Sequence, residues 1–419
     1  MQVPRSNTKR VLSLFTGCGG MDLGFEGGFK VHRKSINPLI HADWNNNFID
    51  DWVCLPHTQF ETTFANDILP AAYKAYTQYF QKQRHSNVHY WLDSIVNLVK
   101  QYQTGQSDIF PSVDVVTGGF PCQDFSVAGK RLGFDSHKGH HGGLLVDTDE
   151  ATEDNRGKLY MWMRKVVEIT RPKVFIAENV KGLVSLADVK SIIEHDFRSI
   201  GGDGYVVINA NVLKAYEYGV PQSRERVIFL GFRRDALTTQ ALHELLQPQI
   251  HPDWNPYPQK THTNIANELL SPYVTTGDVL CDLGEPEYST DYAHRNYSKA
   301  RWYGKHVQGQ TEINLNGIGP TIRAEHHGNI EFRRLSAEHG GKNTDELSRD
   351  LPERRLTVRE CARIQTFPDD YEFVRPANIF SENPLSPSEG YKVIGNAVPP
   401  LLAYHIASRL QFLWSKLFI

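Results

Sequence analysis

Gly118-Gly119-Phe120-Pro121-Cys122-Gln123-Asp124-Phe125-Ser126 follows directly on the apolar run Val113-Asp114-Val115-Val116-Thr117. The run is short and β-branched, as a strand buried in a parallel sheet would be. The two glycines let the backbone turn sharply off that strand and leave room for close approach. Pro121 then fixes φ and sets Cys122 at the strand's carboxyl end, where open α/β sheets hold their ligands. A cysteine there is a nucleophile if its thiolate is stabilised. A lone free thiol is more often a buried, inert core residue. Taken alone, the segment leaves both readings open.

The 419 residues, 40% apolar and 22% charged, have the composition of an ordinary soluble globular protein with length for two domains and one large core. The five cysteines are widely spaced and form no CxxC pair, which indicates neither a zinc site nor a disulfide framework and suits a reducing cytoplasm. Arg5, Lys9 and Arg10 precede an apolar run that stops at Phe15, too short for a signal peptide, and no later segment is long enough to span a bilayer. A net charge of −3 does not advertise nucleic-acid binding, but a local basic face can supply phosphate contacts. Residues 295–306 contain Arg295, Lys299, Arg301 and Lys305 and no acid, with Arg323, Arg333 and Arg334 soon after. A solvated surface is the plainer reading of both groups.

Read in order, Val11–Phe15 is a first strand, and Thr16-Gly17-Cys18-Gly19-Gly20-Met21-Asp22-Leu23-Gly24 is a glycine-rich turn into a helix. Such a turn brings backbone amides close to a nucleotide-like ligand. Asp43, about 20 positions on, can hold ribose hydroxyls; Trp44 beside it can stack on an adenine or simply belong to the core. Asp67, in Asn66-Asp67-Ile68, can accept from an exocyclic amine. Residues 70–104 read as helical, with Tyr73, Tyr76 and Phe80 on one face and Trp91, Ile95, Leu98 and Tyr102 on another. In the glycine- and charge-rich stretch 128–156, His137, His140 and His141 fit a solvated loop better than a metal site. Leu159, Trp162, Val166 and Ile169 mark a crossover helix, and Val174–Ala177 the next strand, ending in Glu178-Asn179-Val180. A carboxylate there, beside a strand bearing Cys122, is the pair that nucleophilic chemistry on a heterocycle requires; a helix-capping glutamate is the structural alternative. Arg224 and Arg226 enter the strand Val227–Leu230 at alternate positions and share a face, to grip a carbonyl or phosphate or to form surface ion pairs. After Arg234 the chain becomes rich in proline, glycine and aromatics until residue 350, as a separate loop-rich domain would be.

Six ordered blocks together resemble the DNA (cytosine-5) methyltransferases of bacterial restriction-modification type: FTGCGG, GGFPCQDFS, ENV, QSRER, the RxLTxRExARxQxFP pattern at 354–368, and GNAVPP. The resemblance implies an α/β fold, a Rossmann-like mixed, mostly parallel sheet with helices on both faces, plus a small loop-rich target-recognition domain. The implied division is residues 1–234 for catalysis and cofactor, 235–384 for target recognition, and 385–419 returning to the large domain. It implies S-adenosylmethionine as cofactor, S-adenosylhomocysteine as product and no metal. Phe15, Thr16, Gly17, Gly19, Gly20 and Leu23 would form the cofactor turn. Asp43 would hold the ribose, Trp44 the adenine ring and Asp67 with Ile68 the adenine edge, while Pro121, Leu159, Asn396 and Ala397 would close the pocket. The target cytosine would be flipped out of the duplex. Cys122 would attack carbon-6, Glu178 would hydrogen-bond the ring nitrogen and amine, Arg226 would hold the ring carbonyl, and Arg224 would brace the site or a phosphate. Carbon-5 would then accept the methyl group.

Double-stranded DNA is the implied partner, with a restriction endonuclease alongside, and a cytoplasmic, nucleoid-associated monomer is expected. Gln123, Ser126 and Arg131, in and after GGFPCQDFS, are candidates to touch DNA as that loop closes. Arg323, His326, His327, Asn329 and Arg333 are the candidates for reading bases, or else a structural turn with surface charges. Asp43 departs from the glutamate of many relatives, and the 70–104 segment and the loop after Asp135 are longer than a minimal enzyme needs. An RNA (tRNA) cytosine-5 methyltransferase of the same architecture is the nearest alternative; the length of 235–350 favours DNA.

Overall fold

The computed structural model describes residues 7–44, 48–106, 108–121, 159–185, 189–202, 204–324, 330–376 and 384–419. Cys122, Gln123, Ser126, Arg131, His326, His327 and Asn329 therefore lie outside the described residues, as do the three histidines at 137, 140 and 141.

The chain opens with β1 (Lys9–Leu14) and α1 (Gly20–Glu26). A small antiparallel sheet follows, from β2 (Lys30–His32), β3 (Phe48–Ile49) and β4 (Trp52–Cys54). Then come β5 (Phe60–Asp67), α2 (Pro70–Tyr76), β6 (His89–Leu92), α3 (Ile95–Gln103) and β7 (Val115–Gly118). The next elements are α4 (Leu159–Thr170), β8 (Val174–Val180), α5 (Val189–Arg198), β9 (Tyr205–Val207), β10 (Asn211–Lys214) and β11 (Glu225–Arg233). Eight strands form one sheet in the order β10-β11-β8-β7-β1-β5-β6, with β9 also paired to β11. The five strands from β8 to β6 run parallel, and β11 enters antiparallel to β8. This is the mixed, mostly parallel sheet that the resemblance implied.

The β-branched and aromatic runs form this sheet because they are apolar on both faces. Alternate residues deliver side chains to two separate cores. Val11, Val115, Val174, Ile176, Ile228 and Leu230 belong to one, and Leu12, Val116, Phe175, Ala177, Val227 and Phe229 to the other.

Shorter helices follow β11: α6 (Thr239–Leu245), α7 (Thr276–Leu280), α8 (Tyr292–Arg295), α9 (Thr344–Ser348) and α10 (Val358–Ile364). The chain then returns through α11 (Pro387–Asn396) and α12 (Pro400–Leu417), with α12 packed on α1. Gly24 makes that packing possible, since a Cβ there would stand 2.4 Å from both the Ala403 Cβ and the Pro400 carbonyl oxygen. No described helix is long and apolar enough to cross a membrane.

One element differs from the sequence reading. The 70–104 segment is not helical throughout: after α2 and a π-helical turn over Thr77–Gln83, residues 89–92 form β6. His89, Tyr90, Trp91 and Leu92 pair with Phe64, Ala65, Asn66 and Asp67 as a parallel edge strand. Trp91 therefore shares no helix face with Ile95, Leu98 and Tyr102. Available sheet-edge hydrogen bonds and the aromatic, strand-prone HYWL run outweigh the helical spacing. The segment also has a structural task, because Tyr76 and Phe80 pack against the glycine turn. A Cβ on Gly19 would come within 2.8 Å of both rings.

Candidate active site

The carboxyl ends of β1, β5, β7 and β8 open onto a cavity of about 450 Å³, the place where parallel sheets hold ligands. Its wall includes Ser13 to Gly17 and Gly20 from the first turn, Asp67 to Leu69 after β5, and Thr117 to Pro121 after β7. Glu178 to Val180, Arg226, Lys392 and the Gly395–Val398 turn complete it.

Hydrogen bonds fix the first turn. Phe15 leaves β1 at φ 52°, a conformation a bulky residue rarely adopts without being held there. The Ser13 and Thr16 hydroxyls lie 2.5 Å apart, and Thr16 Oγ1 donates to Asp22 Oδ2 at 2.6 Å. Burial pushes the Asp22 carboxyl above its ordinary range, opposed by these hydroxyl bonds. Asp67 accepts from the Gly17 amide (2.8 Å) and the Leu69 amide (2.9 Å), which ties the end of β5 to the turn. Burial raises the Asp67 carboxyl too, and the amide bonds oppose it.

The second half of the cavity holds a charge pair. Glu178 is the fifth residue of β8, and Arg226 the second of the antiparallel β11. Arg226 Nε meets Glu178 Oε1 at 2.6 Å, with both side chains about nine-tenths buried. Across the cavity floor, a Cβ on Gly119 would lie 2.8 Å from Glu178 Oε2, so glycine is what lets this carboxylate approach the β7 turn. Beside it Asn179 Nδ2 donates to the Phe120 carbonyl at 3.1 Å, two residues before Cys122.

The third wall comes from far along the chain. Gln365 Nε2 donates to the Ile394 (2.9 Å) and Ala397 (2.8 Å) carbonyls. Gln222 Nε2 donates to Gln365 Oε1 and to the Ile364 carbonyl. Arg224, 1% exposed, donates to the Ile322 (3.0 Å) and Gly395 (2.9 Å) carbonyls. The QSRER, 354–368 and GNAVPP blocks thus meet in one buried network that shapes the Gly395–Ala397 turn.

Of the residues singled out from sequence, Phe15, Thr16, Gly17, Gly20, Asp67, Ile68, Pro121, Glu178, Arg226, Asn396 and Ala397 share this cavity wall. Gly19, Leu23 and Leu159 are buried and are not part of it. Asp43 and Trp44 are not brought to it either. Asp43 is exposed on a 3₁₀ turn, and Trp44 is 3% exposed, stacked on His41 at 3.7 Å and edge-on to Tyr404 of α12. An imidazole covers one flat face of the Trp44 ring. Arg224 grips backbone carbonyls, so it braces the wall and does not face the cavity.

The described base-reading candidates are Arg323 and Arg333. Arg333 pairs with Glu346 at 2.5 Å and lies 3.6 Å from Glu360, in a largely buried ion cluster. Arg323 pairs with the buried Glu331 at 2.9 Å. The sequence reading passed over Asn179, Gln222 and Gln365 as functional groups, although each lies in one of the six blocks. Their signal was a polar side chain inside an apolar or turn segment. Among the described cysteines, Cys18 and Cys361 are buried, and burial raises both thiols, as expected of inert core residues.

Comparison with known proteins agrees across the whole chain. A family model described as C-5 cytosine-specific DNA methylase matches residues 9–411. The chain is 33% identical over 417 residues to the type II methyltransferase M.BspRI of Lysinibacillus sphaericus, covering 97% of this chain and 82% of that one. It is 30% identical to M.BsuRI of Bacillus subtilis, covering 96% and 79%. Among solved structures, the Entamoeba histolytica methyltransferase EhMeth superposes with a TM-score of 0.52 at 13% identity, covering 97% and 98%, a likeness of fold.

Proposed function

This chain belongs to the C-5 cytosine-specific DNA methylases, and on that premise we propose that it methylates cytosine within one short sequence of duplex DNA. The observation that carries the reading is the Glu178–Arg226 pair, held at the ends of β8 and β11 in the same cavity as the glycine turn. A cavity of about 450 Å³ suits a nucleoside-sized ligand. The close-packed glycine turn and the half-buried Asp67 are chemistry that fits S-adenosylmethionine, the methyl donor of this family, against the Phe15–Gly20 turn. When bound, that cofactor supplies an electrophilic methyl group.

The residues then divide the work. A cytosine within a duplex is shielded by its neighbours, so it must leave the stack to reach the cavity. The Cys122 thiolate adds to carbon-6, forming a carbon–sulfur bond and moving electron density toward carbon-5 and the ring nitrogen. Glu178 hydrogen-bonds the ring nitrogen and amine, and Arg226 the ring carbonyl, so the charge developing in the ring meets an aligned acid and cation. Carbon-5 would then accept the methyl group that S-adenosylmethionine supplies, leaving S-adenosylhomocysteine, and loss of the carbon-5 proton to water with elimination of the thiolate would restore Cys122 and the aromatic ring. Asn179 fixes the Phe120 carbonyl, two residues before Cys122 in the sequence.

We read residues 1–234 as the catalytic unit, 235–384 as the target-recognition unit and 385–419 as the return segment. The end of the large sheet at Arg233 and the packing of α12 on α1 support that division. Relatives named as type II methyltransferases support a protective role beside a restriction endonuclease.

Bisulfite sequencing of DNA from cells expressing the chain, beside Cys122→Ala, tests the reading. Methylcytosine confined to one motif and absent in the variant is expected. Unmarked DNA with marked RNA would replace this reading with RNA methylation, and S-adenosylhomocysteine should still bind the variant.

A further inference from the structure

Most arginines beyond Gly319 are committed to internal partners. Arg333, Arg334, Arg354, Arg359 and Arg363 each meet a carboxylate. Arg355 differs. Its guanidinium lies beneath the preceding loop and donates to the Ala300 (2.8 Å), Arg301 (3.0 Å) and Gly309 (2.9 Å) carbonyls, clasping residues 300–309 from inside. Trp302 also turns inward, stacking on His339 with ring centroids 4.4 Å apart and donating to the Gln310 carbonyl.

The outer side of this clasped loop carries the opposite character. Arg301 and Lys305 are exposed with Tyr303, 66% exposed, between them, and Arg295 at the end of α8 and Lys299 just before the loop are exposed as well. Residues 295–306 contain no acid, and among the described residues none of the four cations forms an ion pair, although Lys299 lies 3.4 Å over the Tyr297 ring. On a chain of net charge −3, four exposed cations within eleven residues concentrate a positive field that the chain as a whole lacks, although Glu287 accepts from the Tyr297 hydroxyl at 3.3 Å beside them. Its root is tied to the cavity. The Ser298 amide donates to the Tyr391 hydroxyl at 3.2 Å, and the next residue, Lys392, lines the cavity wall.

We infer that the outward edge of residues 295–305 grips the phosphate backbone of duplex DNA and sets the duplex over the cavity mouth. This rests on the proposed reaction on DNA. Two observations favour a duplex over an acidic protein: Arg301 and Lys305 flank the exposed Tyr303 on the clasped loop, and the segment before it is fastened through Ser298 to the helix that bears Lys392. A polyanion with regularly spaced charges matches such an edge, and phosphate contacts position a protein without reading sequence.

The test is salt-dependent binding of a fluorescent duplex, with S-adenosylhomocysteine present, by the wild type and by a combined Lys299→Gln, Arg301→Gln, Lys305→Gln variant. For every phosphate left without its cation, the plot of log affinity against log salt should flatten by about 0.9. The variant should therefore bind at least roughly tenfold more weakly near 0.1 M salt, equally on duplexes with and without the target motif. Cofactor-product affinity and the melting temperature should not change, which separates removal of the cations from misfolding. Unaltered affinity and slope would overturn the proposal. So would a loss confined to motif-bearing duplexes at unchanged slope, since that is base reading. If the wild type neither binds nor methylates duplex DNA, the underlying reading fails first, and the wild-type lane alone shows it.

Discussion

Glu178 Oε1 lies 2.6 Å from Arg226 Nε across the antiparallel β8–β11 pair, in the wall of the cavity that the glycine turn also lines. The two side chains come from strands separated in sequence by more than forty residues, yet backbone pairing sets their distance before any substrate arrives. Such preorganisation spares the site from reordering its charges during the reaction.

Replacing Glu178 by Gln keeps the side-chain shape and removes the carboxylate. Methyl transfer in single-turnover assays should slow by roughly two or more orders of magnitude, the usual worth of a positioned acid-base group. S-adenosylhomocysteine affinity should stay as it is. A near-normal rate would take Glu178 out of the mechanism.

Asn179 is 1% exposed and holds the Phe120 carbonyl at 3.1 Å. Asn179→Ala leaves that carbonyl without its amide donor, a loss of about 1–3 kcal/mol where the group stays buried. If the bond serves to aim the Cys122 loop, the turnover rate should fall more than the melting temperature would imply. Equal effects on stability and rate would make Asn179 a core residue only.

Glu360 tests the scaffold. It takes two hydrogen bonds from Arg354, at 2.9 and 3.0 Å, and caps α10 through the Thr357 amide. Burial opposes its charge, but Arg354 and its neighbours overcome this and hold the carboxyl at about 2. That stability is present above its ordinary value near 4.5 and is lost as pH falls toward 2. Glu360→Gln strands Arg354 in the interior and should cost about 3–5 kcal/mol in denaturant unfolding at neutral pH. A cost below about 1 kcal/mol, on the scale of exposed pairs, would show that Glu285 alone suffices for Arg354.

Glu26 has the opposite sign. It is 9% exposed in α1 with Arg84 3.7 Å away, and burial lifts its carboxyl to about 7. Between its ordinary value near 4.5 and about 7, the unfolded chain gives up this proton and the folded chain keeps it. Its contribution is therefore complete at acid pH and declines as pH rises through 7, by on the order of 3 kcal/mol. Comparing unfolding of the wild type and Glu26→Gln at pH 5 and pH 8 should show that decline only in the wild type. Parallel profiles would place the ionised Glu26 comfortably beside Arg84.

Residue type alone made the strands legible, and with them the chemistry they carry. Val11–Leu14, Val115–Thr117 and Val174–Ala177 are apolar on both faces, a property that needs no partner to be read. The turns after them, with Gly17, Asp67, Gly119 and Glu178, follow from the rule that parallel strands expose ligands at their carboxyl ends. The choice of partners belonged to the fold. Whether His89–Leu92 extends a helix or completes a sheet depends on the free edge of β5. Whether Trp44 meets a ligand or His41, and whether Arg224, Arg333 and Arg355 hold substrate, carboxylates or carbonyls, depends on groups brought near by folding. A side chain's type states what bonds it can make. Only the packing of distant segments, which leaves few buried polar groups without a partner, states which bonds it makes.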